Sequence, residues 1–579
     1  MVGRERSRGA PRDDDPASTG ARRAWPRIAA ALLCQAATVA WLTWPLPAMV
    51  ATHLADTTLA CRFDALLTAW AGAWETSSLL HSPRRLLDAN IYHPAPHALL
   101  YAEMALGALV LFLPAFAATA NPVLATNALL LGGTTLTAAV LHAVVDRWTG
   151  SFAAGLLAAW TFLLTRWTLW EFLPTAPSYA VLFWLPVIAW LAARRDRGRP
   201  GTALLSLLLV LQGLVSVVYL AGAAMVPTAL LGTARLARRS TRADGARLLC
   251  AVACAAVLLA PAWAALLRVR DDNPRLAEQT FWRTPAAHAR VPWGPFHDLG
   301  SPLAVPPAAI ALVAAGAASA IARGRTGDRA RAWRHGALWL VAGYALSLGT
   351  TVEWDGREVT GPLGLAARLV PALEAARVPA RMGVAGLLGM GLLVGAALVE
   401  LSRRVGEVTR RPRAAGVARV AIAAVVAAAM LAHYRDGEGP DSQDHPPLPQ
   451  PYPVREAIAP PSPVDAALSQ PGGPLLELPV ASPVDQARAM FRSIRHGRPL
   501  LNGYSSYWPA GWPGRMELAA RLPEHTALAR LRQEAGLDAI LLRTGDLAAG
   551  ELERWNASPD LRVVARDDEG VLFAVAPGP

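Results

Sequence analysis

The sequence predicts an α-helical polytopic membrane protein with about eleven spans, up to about thirteen if short apolar segments also cross. A small C-terminal α/β domain is expected to follow the last span. Apolar residues make up 53% of the 579 residues, which is more than a chain of soluble domains carries. Apolar stretches of spanning length recur along the chain, and arginine clusters separate them. Only the last part of the chain changes character.

The basic residues are all arginine, and they exceed the acidic residues by 12. Most arginine clusters, such as RRDRGR at 194–199, stand between apolar stretches. The positive-inside rule accounts for this placement. No basic module with interleaved aromatic residues is present, so nucleic acid is not an expected partner.

The first part of the chain is expected to cross the membrane from the cytoplasm. Residues 1–26 are charged and rich in small residues, which predicts a disordered cytoplasmic N-terminus. Residues 27–48 form the first span, an uncleaved anchor, and residues 49–100 form the first outer loop. Four apolar segments then precede the RRDRGR cluster: 103–119, 122–145, 152–166 and 178–193.

Topology requires an odd number of crossings between that outer loop and the RRDRGR cluster, so one of these four segments is not a full span. The best candidate for a broken or re-entrant element is TRWTLWEFLPTAPS at 165–178, because it combines aromatic residues with two prolines.

The second half of the transmembrane domain, which extends over 27–433, alternates without conflict. Spans are expected at 203–218, 219–235, 248–267, 302–322, 335–349, 382–401 and 416–433. Two further outer loops then cover 268–299 and 350–381. The last span leads outward, so everything after it is expected on the extracytoplasmic side of a bacterial inner membrane.

The C-terminal region begins with a proline-rich linker at 434–463, and residues 464–579 are expected to form an extracytoplasmic α/β domain. Strand patterns occur in GGPLLELPV, LDAILLRTGD, LRVVARDD and GVLFAVAP, and HTALARLRQEAG has a helical pattern. The region has no glycine-rich phosphate loop, nucleophile elbow or Cys/His cluster, so catalysis by this domain alone is not expected. The four cysteines indicate neither a disulfide framework nor a zinc site.

The first outer loop is the best candidate for a functional site, because it is long and rich in ionisable residues. CRFDALLTAWAGAWETSSLL has apolar residues at helical spacing, which predicts an amphipathic helix along the bilayer surface. Asp64 lies near the start of this helix, where the helix dipole favours a carboxylate. The alternative interpretation of Asp64 is a simple helix cap.

Several motifs occur in an order that resembles a known family. They are the WPL end of the first span, RFDALLTAWAGAW, LLDANIYHPAPHALLYAE, NPVLATNALLLGGTTLTAAVLHAVVDRWTGS, RVPARM and the tail segments LLELPV and RPLLNGYSSYWP. Together they resemble the integral-membrane glycosyltransferases of the GT-C superfamily, in particular the bacterial family 39-like branch that uses polyprenyl-phosphate sugars. The resemblance extends from about residue 30 to the end of the chain.

The resemblance implies inverting transfer of a sugar from a polyprenyl-phosphate donor to an extracytoplasmic acceptor, which is a glycan, a lipid or a protein. In such enzymes an acid of the first outer loop is the proposed general base, and Asp64 occupies that position. Arg377 and Arg381 of RVPARM would bind the phosphate. Asp88, His93 and Glu103 would line the acceptor or metal side. No metal ligand is assigned, although a divalent ion as cofactor is left open.

The chain also departs from the family pattern. Relatives often have paired acids where this chain has Phe63-Asp64, and an acid followed by histidine where it has Glu103-Met104. Two other functions therefore stay open: a catalytically degenerate membrane scaffold, and a lipid or glycan transporter. Inverted repeats and acids in the middle of spans would favour a transporter, and the sequence shows neither. The sequence does not name the sugar or the acceptor.

Overall fold

A computed structural model describes most of the chain. The described residues are 16–56, 62–102, 104–165, 167–168, 176–195, 198–272, 303–322, 328–354, 357–376, 378–435, 450–454, 461–505, 507–545, 547–548 and 550–576. The 165–178 stretch and the 268–299 loop fall largely outside them.

Helices dominate the part of the chain up to residue 435. Their bounds are Pro16–Leu42, Arg62–His81, Leu109–Thr119, Pro122–Asn127, Gly133–Thr149, Phe152–Leu163, Trp184–Ala193, Gly198–Val215, Tyr219–Leu236, Arg242–Asp272, Pro307–Ile321, Asp328–Ser347, Pro362–Ala367, Val384–Val408 and Pro412–Arg435. A turn of π-helix at Ala128–Gly132 joins the fourth and fifth of these into one continuous rod.

Five of the described helical stretches are long and apolar enough to cross a membrane: Pro122–Thr149, Gly198–Val215, Arg239–Val269, Pro379–Val408 and Arg413–His433. Four shorter apolar helices accompany them: Leu106–Thr119, Phe152–Leu163, Pro177–Ala193 and Pro307–Ile321. The structure therefore agrees with a membrane protein but does not establish the expected eleven spans.

The Val384–Val408 helix lies at the centre of the helical region. Nearly all residues of its first four turns are buried, Gly386 and Gly389 among them. A β-carbon at either glycine would overlap the neighbouring Asp328–Ser347 helix. Close backbone contact through small residues is the usual way in which membrane helices pack. At the N-terminus, the first helix begins at Pro16, so residues 16–26 are helical and not disordered as expected. ARRAW within this segment contains good helix formers.

The segments that are expected to form outer loops contain short strands. β1 (His53–Asp56) pairs antiparallel with β4 (Gln450–Pro453), which lies in the region expected to be an extended linker. β2 (Thr351–Trp354) and β3 (Arg357–Thr360) form a hairpin in the 350–381 loop. The linker is therefore attached to the first outer loop through the pairing of β1 with β4.

The C-terminal region contains a four-stranded sheet of order β5-β6-β8-β7. Its strands are β5 (Leu475–Leu478), β6 (Ala539–Arg543), β7 (Leu561–Arg566) and β8 (Gly570–Val575). β5 is parallel to β6, and the other two pairs are antiparallel. Each strand lies in one of the four segments whose patterns predict strands. The accompanying helices are Pro463–Leu468, Pro483–His496, Trp512–Ala519, His525–Ala535 and Glu551–Asn556.

The C-terminal region and the first outer loop share a hydrophobic core. Trp70, Ile91 and Leu99 of the loop are buried in one cluster with Leu475 and Met490 of the C-terminal region. A second cluster packs the Arg62–His81 helix against the Pro483–His496 helix. Burial of large apolar side chains on both sides makes these two parts of the chain one packed unit.

Backbone hydrogen bonds extend the sheet into the first outer loop. The amides of Tyr92 and His93 donate to the carbonyls of Asn502 and Leu500 at 3.0 and 2.9 Å, and the Leu500 amide donates to Asn90 at 2.8 Å. The 500–502 segment in turn bonds to Leu475 at the start of β5. We call this contact of 90–93 with 500–502 the joint. The stretch around DANIYHPAPH is thus a structural link between the two parts of the chain.

The Tyr92 side chain closes the joint. Its hydroxyl lies 2.8 Å from the Ser505 hydroxyl, and its ring packs edge-on against Trp512. Burial raises the pKa of the Tyr92 phenol far above its ordinary value, so the group stays neutral. The ring lies directly on the backbone of Gly503, where a β-carbon would overlap it.

Replacing Gly503 by alanine is therefore expected to destabilise the joint by about 1–3 kcal/mol, the usual cost of overpacking a core. Thermal unfolding of the purified protein in detergent measures the effect as a lower midpoint. The matched control is Gly514→Ala, because a β-carbon at Gly514 meets no atom within 4 Å. A Gly503→Ala protein as stable as the control would contradict the tight contact with Tyr92.

Candidate functional site

One face of the Arg62–His81 helix, which we call the cleft helix, lines a cleft. Residues 64, 67, 68, 71, 72 and 75 of this helix all face the cleft. Their spacing of three and four residues is the repeat of one helix face. Asp64 and Glu75 stand at opposite ends of that face, about 16 Å apart along the helix axis. The cleft-lining face of this helix therefore has a carboxyl group at each end.

The rest of the cleft comes from distant parts of the chain. Ala102 and Ala105 follow the joint, Phe112 comes from the Leu109–Thr119 helix, Tyr179 from the segment before Trp184, and Arg381 from the turn before the central helix. The cleft has about 770 Å³ of empty space, part of which is open to solvent. Gly72 allows the Phe112 ring to pack directly on the helix backbone.

Asp64 accepts a hydrogen bond from a residue of the C-terminal region. The Tyr504 hydroxyl donates a hydrogen bond to Asp64 Oδ1 at 3.0 Å. The Tyr504 ring packs edge-on against Phe63 at 4.7 Å between ring centroids. Since Tyr504 follows the joint by two residues, the sheet extension sets the position of this hydroxyl relative to the cleft helix.

Arg381 stands on the other side of the cleft, in the Pro379–Gly383 turn. Its guanidinium lies over the rings of Tyr179 and Tyr219, at 4.9 and 5.3 Å from their centroids. Nη1 donates to the Tyr179 hydroxyl at 3.2 Å. Two aromatic faces stabilise the cation and fix its plane, which leaves a guanidinium pre-oriented at the cleft wall.

An apolar groove adjoins the cleft. It is lined by Leu100, Tyr101, Ala102, Met104, Val217, Val218, Tyr219, Ala262, Leu266, Ala375, Arg381 and Tyr507. Ala102 and Arg381 line both cavities. Arg381 therefore stands where a polar cleft meets an apolar groove, an arrangement suited to a ligand with an anionic head and a hydrocarbon tail.

Glu75 is fully buried at the end of the cleft away from Asp64. Its Oε1 accepts the Ala105 amide at 3.0 Å, and its Oε2 has no hydrogen-bond partner among the described residues. Burial raises the pKa of this carboxyl to about 8, and the hydrogen bond from the Ala105 amide only partly offsets the rise. At neutral pH Glu75 is mainly a neutral acid.

The other residues expected at the site have different positions. Asp88 is half exposed and accepts the His97 amide at 3.0 Å, outside the residues that line the cleft. His93 belongs to the joint, and burial, helped by the charge of Arg515, lowers the pKa of its imidazole. Glu103 and Arg377 lie outside the described residues. Of the expected set, the structure brings Asp64 and Arg381 together in one cleft.

Among the described residues, no group of three or more His, Cys, Asp or Glu side chains has the arrangement of a metal site. The described part of the cleft presents a guanidinium and two carboxyl groups, which stand at opposite ends of the cleft-lining face of one helix. Anion binding by the guanidinium and proton transfer by the carboxyl groups are the chemistry that these side chains supply.

Sequence reasoning missed Tyr504, Tyr179, Tyr219 and the role of Glu75 in the cleft. The signal for Glu75 was present, since eleven residues are three turns of helix and return to the same face. Tyr504 is 440 positions from Asp64, and no local pattern connects the two residues.

The chain matches no protein-family model and no curated protein. The solved structures that are similar to it include ArnT from Cupriavidus metallidurans in the apo state and the same protein bound to undecaprenyl phosphate. The first has a TM-score of 0.45 and 13% identity and covers 97% of this chain and 100% of its own. The second has a TM-score of 0.43 and 11% identity, with coverage of 94% and 98%. Similarity at this level assigns no activity to the chain.

Proposed function

We propose that the protein is a membrane glycosyltransferase of the GT-C type, which moves a sugar from a polyprenyl-phosphate donor to an extracytoplasmic acceptor. One observation carries the proposal: Arg381 borders both the cleft that contains Asp64 and the apolar groove. A lipid-phosphate sugar has three parts in the same order, a sugar, a phosphate and a hydrocarbon chain.

Arg381 binds the donor phosphate in this proposal. A planar guanidinium forms two parallel hydrogen bonds with phosphate oxygens, and it neutralises the charge that grows on the leaving group during transfer. The rings of Tyr179 and Tyr219 hold its plane, so little side-chain freedom is lost when the phosphate binds. The groove beyond Arg381 takes the first isoprene units.

Asp64 is the general base. Its carboxylate takes the proton of an acceptor hydroxyl while the hydroxyl oxygen attacks the anomeric carbon from the side opposite the phosphate. The bond to the phosphate breaks, and the phosphate leaves with the bonding electron pair. The configuration at the anomeric carbon is inverted. The hydrogen bond from Tyr504 keeps the Asp64 carboxylate in place.

Photo-crosslinking tests this proposal without knowledge of the acceptor. Purified protein in phosphatidylglycerol vesicles is illuminated with an undecaprenyl phosphate analogue that carries a diazirine in its first isoprene units. We expect the analogue to label residues 217–219 or 262–266, and we expect excess undecaprenyl phosphate to prevent this labelling. Labelling spread over exposed apolar helices such as Pro412–Arg435, with no competition, would contradict a lipid-phosphate site in the groove.

Replacing Tyr504 by phenylalanine is expected to lower kcat about ten- to a hundredfold, because a hydrogen bond to a charged group contributes about 1.5–3 kcal/mol. The ring contact with Phe63 stays in the variant, so the donor KM is expected to change little. Steady-state transfer with labelled donor measures both constants. Tyr504 acts through Asp64 and is a positioning residue. A large rise in KM with kcat intact would contradict that role.

A further inference from the structure

The Glu75 and Asp64 carboxyl groups have different surroundings in the cleft. The two carboxyl groups share one helix face but stand about three turns apart. Only Asp64 has a phenol hydroxyl bonded to it from the C-terminal region. Glu75 instead accepts one hydrogen bond from a backbone amide, and its other oxygen is buried with no partner among the described residues. Buried polar atoms in native proteins are nearly always paired, so an orphaned oxygen at a cleft wall indicates a ligand.

We propose that the Glu75 carboxyl is a hydrogen-bond donor for the transferred sugar, and that it selects a neutral sugar with a hydroxyl group on the side away from the anomeric carbon. This inference rests on the proposed function and adds a specificity residue to it. The separation of the two carboxyl groups leaves room for one monosaccharide between the acceptor hydroxyl at Asp64 and the Glu75 end of the cleft.

The hydrogen-bond geometry fits a protonated carboxyl group. A protonated carboxyl has one carbonyl oxygen, which accepts, and one hydroxyl, which donates. Oε1 accepts a hydrogen bond from the Ala105 amide, so the proton belongs on Oε2, which has no partner in the part of the chain that the structure describes. A sugar hydroxyl oxygen accepts such a proton. Among the described residues, the charged or titratable groups that line the cleft with Glu75 are Asp64, Arg381, Tyr179 and Tyr504.

Ionisation of Glu75 would remove the donor and place a negative charge beside an anionic substrate. Burial keeps the pKa of Glu75 near 8, so the carboxyl donates below that pH and loses this ability as the pH rises through it. The donor KM is therefore expected to rise above pH 8, by up to about tenfold for each pH unit as the protonated fraction falls.

Variants at Glu75 separate recognition from packing. The protein is assayed in vesicles between pH 6 and 9.5 with the undecaprenyl-phosphate hexose or pentose that gives the fastest transfer. Glu75→Ala is expected to raise the donor KM about tenfold at pH 7. Glu75→Gln, whose amide also donates and accepts, is expected to recover most of this loss and to show no rise in KM above pH 8. A KM that rises equally in Glu75→Gln and wild type would overturn the proposal.

Infrared difference spectroscopy provides a readout that does not depend on turnover. The wild type is expected to show a protonated carboxyl band that disappears above pH 8, is missing in Glu75→Gln, and shifts when the undecaprenyl-phosphate sugar is added. A band that the sugar leaves unchanged would overturn the proposal even if transfer occurs. If the wild type shows the protonated carboxyl band but transfers no sugar, the result would instead count against the proposed function.

Discussion

Asp64→Asn is expected to lower sugar transfer by about a thousandfold, within the range that a positioned general base contributes. Asparagine has nearly the same shape as aspartate, and its side-chain oxygen still accepts the Tyr504 hydroxyl. The contact between the cleft helix and the C-terminal region should therefore persist. An amide cannot take a proton from an acceptor hydroxyl at neutral pH, so the loss should fall on kcat.

The donor should still bind to the Asp64→Asn protein, since Arg381 and the groove are unchanged. Competition of undecaprenyl phosphate with the photoreactive analogue measures this directly. The matched control is Asp568→Asn, which changes an exposed aspartate in the turn between β7 and β8. Transfer by Asp64→Asn at more than half the control rate would mean that another group is the base.

The second large effect is expected at Arg381. Arg381→Ala removes the guanidinium between the cleft and the groove, and we expect kcat/KM to fall about a hundredfold. This corresponds to roughly 2.7 kcal/mol, in the range of a charge-assisted hydrogen bond pair. Arg381→Lys keeps the charge but not the two parallel donors, so an intermediate loss is expected. Steady-state kinetics with labelled donor gives these values.

Arg368→Ala is the control for this change, because Arg368 is an exposed arginine of the same outer loop. Photo-labelling of the groove should also weaken in Arg381→Ala but not in Arg368→Ala. If Arg381→Ala bound the photoreactive analogue as well as the control, the phosphate would have to bind elsewhere. Thermal unfolding of both variants shows whether loss of the contacts with Tyr179 and Tyr219 has also weakened the fold.

The local parts of the structure were accessible from the sequence. Apolar spacing predicted the cleft helix, with Asp64 in its first turn, and the structure has that helix at Arg62–His81. The four strand patterns of the C-terminal region also coincide with strands. Both cases depend on short-range periodicity, which neighbouring residues alone determine.

Long-range features were not accessible in the same way. The joint brings 90–93 against 500–502, and the Tyr504 bond to Asp64 depends on it. Such contacts depend on how two surfaces fit, and one sequence contains no local signal for that fit. The expected count of eleven spans has a related weakness, because hydropathy marks apolar segments but does not measure helix length. The Phe152–Leu163 helix is apolar yet shorter than a full span.

The segment DANIYHPAPHALLYAEM at 88–104 has two different roles in the structure. Its first half forms the joint, where Tyr92 and His93 bond to the C-terminal region. Its second half contributes Leu100, Tyr101 and Ala102 to the groove or the cleft. One short segment thus connects the C-terminal region to the place where donor and acceptor are proposed to meet.

The most direct test is sugar transfer by the purified protein in vesicles from a panel of radiolabelled undecaprenyl-phosphate hexoses and pentoses. Membranes from the cells that make the protein supply the acceptor, and Asp64→Asn serves as the blank. We predict transfer from at least one donor, with inverted configuration at the anomeric carbon, and no transfer by the blank. Equal transfer by both proteins, or a product with retained configuration, would contradict the account.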